Sequence, residues 1–327
     1  MADGRSWCAR PIRRATSNGG EMIGCERGPL KTTPHHRRAE VRAPIGDMAL
    51  LAVLALLPSA VQAQAPWWAD SLGYSVDEIH AVRIGNDGFP YVSVTIDTTE
   101  LWLVFDTGNM TGVTVATHAY DQLGLAVTDT IRRRDSDGRW LGDFRVGRAT
   151  RVHALGRTAA DVAVREFRHA MLPGLFGPDD LPGSRFTLDY RARVIGVARS
   201  ELNAVAVAGG LPLVRSARHP RLVLVRGAYR RQPILIELDT GKSRSVVDPA
   251  WAARMGLSVG QRDTVIVGEV RIGAAVFDIG NAKPVGLAAI DPDLPDPLVL
   301  SLGSDTLSRF VMTVDFASGW VLLWESR

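Results

Sequence analysis

The chain carries one stretch of sequence twice, and a duplicated unit constrains architecture more than any local propensity can. Residues 91–108 read YVSVTIDTTELWLVFDTG, an alternating strand, a short polar turn, then a nearly continuous apolar strand running into Asp-Thr-Gly. Residues 222–241, LVLVRGAYRRQPILIELDTG, repeat that order. After each Asp-Thr-Gly come a few β-rich residues and a short helical segment closing on Gly-Leu, ATHAYDQLGL at 116–125 and PAWAARMGL at 249–257. The correspondence resumes where GLFGPDDLPGSRFTLDYRARVIGV (174–197) parallels LSLGSDTLSRFVMTVDFASGWVLL (300–323).

Gly177 pairs with Gly303, Leu181 with Leu307 and Asp189 with Asp315 at a constant offset of 126, whereas Asp106 and Asp239 are 133 apart. The second unit is therefore seven residues shorter in its middle. In the first unit that middle holds IRRRDSDGRWLGDFRV (131–146), whose Asp137-Gly138 is a hairpin-turn signal. Little of the chain has helical periodicity, and short runs of Val, Ile, Leu and Thr broken by Gly and Pro predict an all-β protein. The expected organisation is two β-lobes with short helices, residues 76–199 and 210–327, joined by a linker at 200–209.

The length of 327 residues and 46% hydrophobic content suffice for one large core or two smaller ones. A pI near 9.1 invites a nucleic-acid reading. The excess charge, however, sits at the front: residues 1–63 hold nine Lys or Arg against five acids, leaving 29 basic against 30 acidic residues behind them. That balance argues against nucleic acid as a partner, since phosphate binders concentrate Lys and Arg on one face. From Met48 the chain reads MALLAVLALLPSAVQAQAPWW, an uncharged apolar run followed by small residues at Val61 and Ala63. Residues 48–63 are thus expected to be a signal peptide cleaved near Ala63, giving an exported, periplasmic or secreted protein. The run is short of the ~20 residues of a membrane span, so no stable insertion is expected after cleavage. Residues 1–47, rich in Arg, Gly and Pro, are read as disordered or as the product of a start assigned too early, with Met48 or Met22 as the true one. Both cysteines, Cys8 and Cys25, lie in that leader, leaving the exported part without disulfide or thiolate.

Asp106 and Asp239 end equivalent strands in the duplicated units. Peptide hydrolysis without a metal or a covalent nucleophile needs a base and an acid on either side of one water. Two carboxylates held close cannot both ionise cheaply, so they share a proton and titrate as a pair. One can take water's proton while the other donates to the carbonyl oxygen. Gly108 and Gly241 allow a tight turn that brings an amide to each carboxylate, and Thr107 and Thr240 are expected to hydrogen-bond across between the loops.

With VFDTG followed by GLFG, and ELDTG followed by LSLG, the chain resembles the aspartic peptidases of the pepsin and retropepsin type over most of residues 80–327. The resemblance implies a two-lobed acid-protease fold, an endopeptidase acting on an extended polypeptide and no cofactor; no metal and a monomeric chain are also expected. It also implies that the first-lobe hairpin covers the substrate, with Asp137, Gly138 and Trp140 in that flap. Trp140 is either an aromatic contact to substrate or ordinary hairpin packing.

The chain departs from the family after each Gly, where a small hydroxyl normally reaches the outer carboxylate oxygen. Asn109 and Lys242 stand there. Asn109 is able to substitute for that contact. Lys242 either favours the ionised form of Asp239, or carries its charge out to solvent on a long stem. On the first reading, Lys242→Ser raises activity and moves both limbs of the pH–rate profile upward. The rival reading is a catalytically weak or inactive peptidase-fold protein that grips extended segments by strand addition. DTGKS is no phosphate loop, because Ile236 occupies the place of its first Gly, and His80, His118, His153, His169 and His219 lack metal-ligand spacing.

Overall fold

The computed structural model describes residues 65–134, 140–168, 172–181, 185–200, 209–258, 260, 263–287 and 290–326. All of them fall in one compact unit, Gln62–Arg327. The leader, the signal segment, most of the linker and the tip of the 131–146 hairpin, including Asp137 and Gly138, lie outside the described residues. Among the described residues no helix is long and apolar enough to cross a membrane.

The described residues are predominantly β and form three sheets. An eight-stranded sheet is built from strands between Arg83 and Phe176, and a second eight-stranded sheet from strands between Leu224 and Leu302. In the first, the strand Pro90–Ile96 pairs with Thr99–Phe105 on one side and with the long strand Trp140–Ala154 on the other, so the sheet curls onto itself. In the second, Leu224–Tyr229 pairs likewise with Gln232–Leu238 and Glu269–Ile272. The missing residues of the second copy come out of this region. Trp140–Ala154 and Arg157–Phe167 are 15 and 11 residues long, whereas their counterparts Glu269–Ile272 and Ala275–Asp278 have 4 each.

The strand ahead of each Asp-Thr-Gly is central in its sheet. Thr99–Phe105 pairs in parallel with Gly174–Phe176, and Gln232–Leu238 in parallel with Leu298–Leu302. Burial on both faces explains why both read as apolar runs rather than alternating ones. Leu103, Val104 and Phe105 are fully buried, as are Leu235, Ile236 and Leu238. The helices Thr117–Leu123 and Pro249–Arg254 follow each loop, the first ended by Gly124 at φ 61°, the second capped by Asp248, whose carboxylate accepts Trp251 N–H at 2.9 Å.

A six-stranded sheet ties the two copies together. Arg185–Asp189 of the first lies antiparallel to Phe310–Asp315 of the second. Its register places Thr187 opposite Thr313, its own counterpart at the offset of 126, and their hydroxyls hydrogen-bond at 2.7 Å. A local twofold of the duplication therefore passes through this pair. Phe186 packs edge-on against Phe105 at 5.1 Å, joining the sheet to the strand that carries Asp106. Helix Trp68–Leu72, ahead of the first expected unit, caps the same sheet: Trp68 is fully buried and its indole donates to Asp189 at 3.0 Å.

Candidate active site

Each Asp-Thr-Gly loop is anchored by the same two backbone bonds. Asp106 N–H donates to Phe176 O and Asp239 N–H to Leu302 O, both at 2.9 Å, so the neighbouring parallel strand fixes where each aspartate leaves the sheet. Asn109 N–H then closes onto Asp106 O at 3.2 Å and Lys242 N–H onto Asp239 O at 3.3 Å, making each loop one tight turn. Inside it, Gly108 N–H donates to Asp106 Oδ1 at 2.8 Å and Gly241 N–H to Asp239 Oδ1 at 2.9 Å. These bonds hold the carboxyl groups toward one another rather than back over their own strands.

The threonines lock the loops reciprocally. Thr107 Oγ1 donates to Leu238 O at 2.6 Å and accepts Thr240 N–H at 3.0 Å; Thr240 Oγ1 donates to Phe105 O at 2.5 Å and accepts Thr107 N–H at 3.1 Å. Both side chains are essentially inaccessible to water, and each hydroxyl serves one backbone amide and one backbone carbonyl of the opposite loop. Losing such partners costs roughly 1–3 kcal/mol per stranded group. Thr240→Val, which keeps the shape and strands two groups, is therefore expected to lower stability in urea unfolding by about 2–4 kcal/mol. The same change at exposed Thr98 should stay within about 0.5 kcal/mol.

This lock brings the loops so close that each carboxyl packs against the other loop's glycine, Asp239 against Gly108 and Asp106 against Gly241. Asp106 and Asp239 are 7% and 4% exposed, which keeps bulk water from screening them. Burial pushes the Asp106 carboxyl well above the ordinary carboxylate range, and the neighbouring Asp239 charge pushes it further. Both effects favour the protonated form of Asp106.

The two residues that follow the glycines behave differently from each other. Asn109 does not reach Asp106 in place of a hydroxyl. Its side chain folds over its own loop, donating to Gly112 O at 2.8 Å and accepting from the Thr111 amide at 3.0 Å and hydroxyl at 2.8 Å, as Asn commonly does in turns. Lys242 does not run out to solvent either. Its ammonium contacts Asp239 Oδ2 and lies 3.2 Å from Glu237 Oε2. Burial works against the ammonium, but the two carboxylates outweigh it and raise its pKa, so it is charged at any ordinary pH.

No protein-family model matches the chain, and no curated protein matches it. The geometry of the site is thus the ground on which its chemistry is read. Glu237, Tyr190 and Ser304 join the site without having been singled out in the sequence. Glu237 was visible there as the one acid in the run ILIEL, at the place where the first copy has Val104. Tyr190 and Ser304 carried no signal: the Tyr190 hydroxyl and Ser304 Oγ hydrogen-bond at 2.9 Å, and Ser304 Oγ donates to Thr240 O at 3.1 Å, supporting the second loop from below. Trp140 opens the strand Trp140–Ala154, opposite Arg134 in the ladder. Among the described residues no group of three or more His, Cys, Asp or Glu is arranged to hold a metal.

Proposed function

We propose that the protein is an exported aspartic-type endopeptidase with a two-lobed, pepsin- or retropepsin-like arrangement, cleaving an extended polypeptide. The observation that carries this reading is the closely approaching, buried pair Asp106 and Asp239, each packed against the other loop's glycine and held by the reciprocal bonds of Thr107 and Thr240. The related end-of-unit segments and the local twofold at Thr187 and Thr313 support the two-lobed part of it. The uncharged run at 48–63 supports export.

The asymmetry around the pair assigns the roles. Asp239 faces the Lys242 ammonium and acts as the carboxylate base, while Asp106 holds the shared proton. A water between them attacks the scissile carbonyl carbon as Asp239 takes one of its protons and Asp106 gives its own to the carbonyl oxygen. The tetrahedral diol collapses when one hydroxyl returns a proton to Asp106 and Asp239 protonates the departing nitrogen. The C–N bond breaks, and the pair is left with the single proton it began with.

Incubating the chain with a mixed peptide library across pH 3 to 8 tests the proposal directly. Cleavage that a statine-type inhibitor abolishes, and that has acidic and alkaline limits, is the expected result. No cleavage at any pH, together with retention of peptide, would favour the rival reading of a peptide-binding protein.

A further inference from the structure

The two copies differ at one coupled pair of positions next to the aspartates. Where the first has Val104 and Asn109, the second has Glu237 and Lys242, each pair two residues before and three after its Asp. Glu237 is 1% exposed and stands in the middle of a sheet, opposite Leu224 on one side and Ser301 on the other. A carboxylate alone in such a place would take up a proton, and burial does push the Glu237 carboxyl upward, against the pull of Lys242. An ammonium alone beside the catalytic pair would have the opposite fault. It would hold the aspartates ionised and strip the proton they must share.

The charged groups around this point come from two strands and the loops that follow them. Asp106 arrives from the end of Thr99–Phe105, Glu237 and Asp239 from Gln232–Leu238 and its loop, and Lys242 from the same loop. Tyr190 faces the second loop through Ser304, and burial keeps its phenol protonated. Glu237 and Lys242 together add no net charge to the site, as Val104 and Asn109 add none. We infer that Glu237 is a positioning residue for the proposed catalytic pair, holding the Lys242 ammonium against Asp239 Oδ2 and balancing its charge so that one proton stays on Asp106. This inference rests on the peptidase reading for its purpose, but its electrostatics can be measured without any cleavage.

The test uses the full chain in four forms: the parent, Glu237→Gln, Lys242→Ser, and the double change Glu237→Val with Lys242→Ser. The Asp106 carboxyl is titrated by carbon-13 NMR, and the pH–rate profile is recorded on a peptide cleaved from the library. Glu237→Gln changes no shape and leaves the ammonium unbalanced, so the Asp106 titration and both limbs of the profile should move down by about one pH unit. Lys242→Ser leaves Glu237 unbalanced and should move them up by a similar amount. The neutral double variant should bring the titration back to within a few tenths of a unit of the parent. An Asp106 titration unmoved by Glu237→Gln overturns the inference, even if peptides are cleaved. Opposed shifts in a protein that cleaves nothing uphold it while refuting the peptidase reading, so the two ideas fail separately. Should Lys242→Ser not fold, Glu237→Gln decides alone.

Discussion

Asp106→Asn is expected to reduce peptide cleavage by about 10²–10⁴-fold, the range lost when a positioned proton donor is removed. The fold should survive the change. An Asn Oδ1 can still accept Gly108 N–H, which the parent carboxyl receives at 2.8 Å, and its amide can donate to the Asp239 carboxylate where the shared proton had been. Stability should respond in the opposite sense to activity. The folded state raises the Asp106 pKa above its unfolded value, so the acid's contribution is complete below about pH 4 and is lost as pH rises toward the raised value. Asn carries no such dependence. In urea unfolding the variant should therefore match the parent near pH 4 and gain on it steadily toward pH 7, while kcat/KM on a library peptide collapses at every pH. Cleavage that persists in the variant would remove Asp106 from the chemistry. If instead the parent cleaves nothing and both proteins retain an extended peptide equally well, the strand-addition reading takes over.

The parts of this site that were legible in the sequence are those whose chemistry is local. Asp-Thr-Gly after an apolar strand states a turn, an amide aimed at a carboxylate and a hydroxyl at a fixed distance, and the structure realises each of these twice. The duplication supplied the one long-range fact available, that whatever the first loop does the second does as well. Beyond that, sequence was mute where strands pair at a distance. Nothing in TLDYRARVI or MTVDFASGW says that these segments lie side by side, though the offset of 126 is the spacing at which Thr187 meets Thr313.

Two further cases show where local reading stops. Trp68 received no role from the sequence, because five helical residues are too few to display a periodic face; its partner Asp189 lies 121 residues away. Asn109 and Lys242 occupy equivalent places; sequence read Asn109 as a stand-in for the hydroxyl, which the structure overturns, and offered two alternatives for Lys242. The outcome is decided in each case by neighbouring residues outside the motif. The Thr111 and Gly112 turn captures Asn109, and buried Glu237 captures Lys242. A charged residue at the edge of an active-site motif is best read together with the nearest residue of opposite sign on the buried face.

Gly241→Ala is expected to lower turnover about 10²-fold or more while leaving a folded protein, because the space a methyl would fill is already occupied by the carboxyl of the opposite loop. A Cβ placed on Gly241 runs into the Asp106 carboxyl, and one placed on Gly108 comes within 2.5 Å of Asp239 Oδ2. Backbone strain is not the reason, since neither glycine needs a left-handed conformation. The reason is close approach: each loop's glycine forms the floor under the other loop's carboxylate. Because the Asp106 carboxyl is buried and tied to Gly108 N–H, it cannot swing aside as an exposed side chain would. Relief must come from separating the two loops, and the reciprocal threonine bonds resist that. Overpacking of this sort costs about 1–3 kcal/mol, which a unit of this size should tolerate. A displacement of about 1 Å between acid and base, however, is enough to lower the rate 10²-fold or more. The distinguishing measurement is the Asp106 carboxyl titration. Parted carboxyls share their proton less tightly, so it should fall toward the ordinary carboxylate range in Gly241→Ala while far-UV circular dichroism stays that of the parent. A variant with unchanged titration and unchanged kcat would mean that the loops do not approach each other this closely in solution.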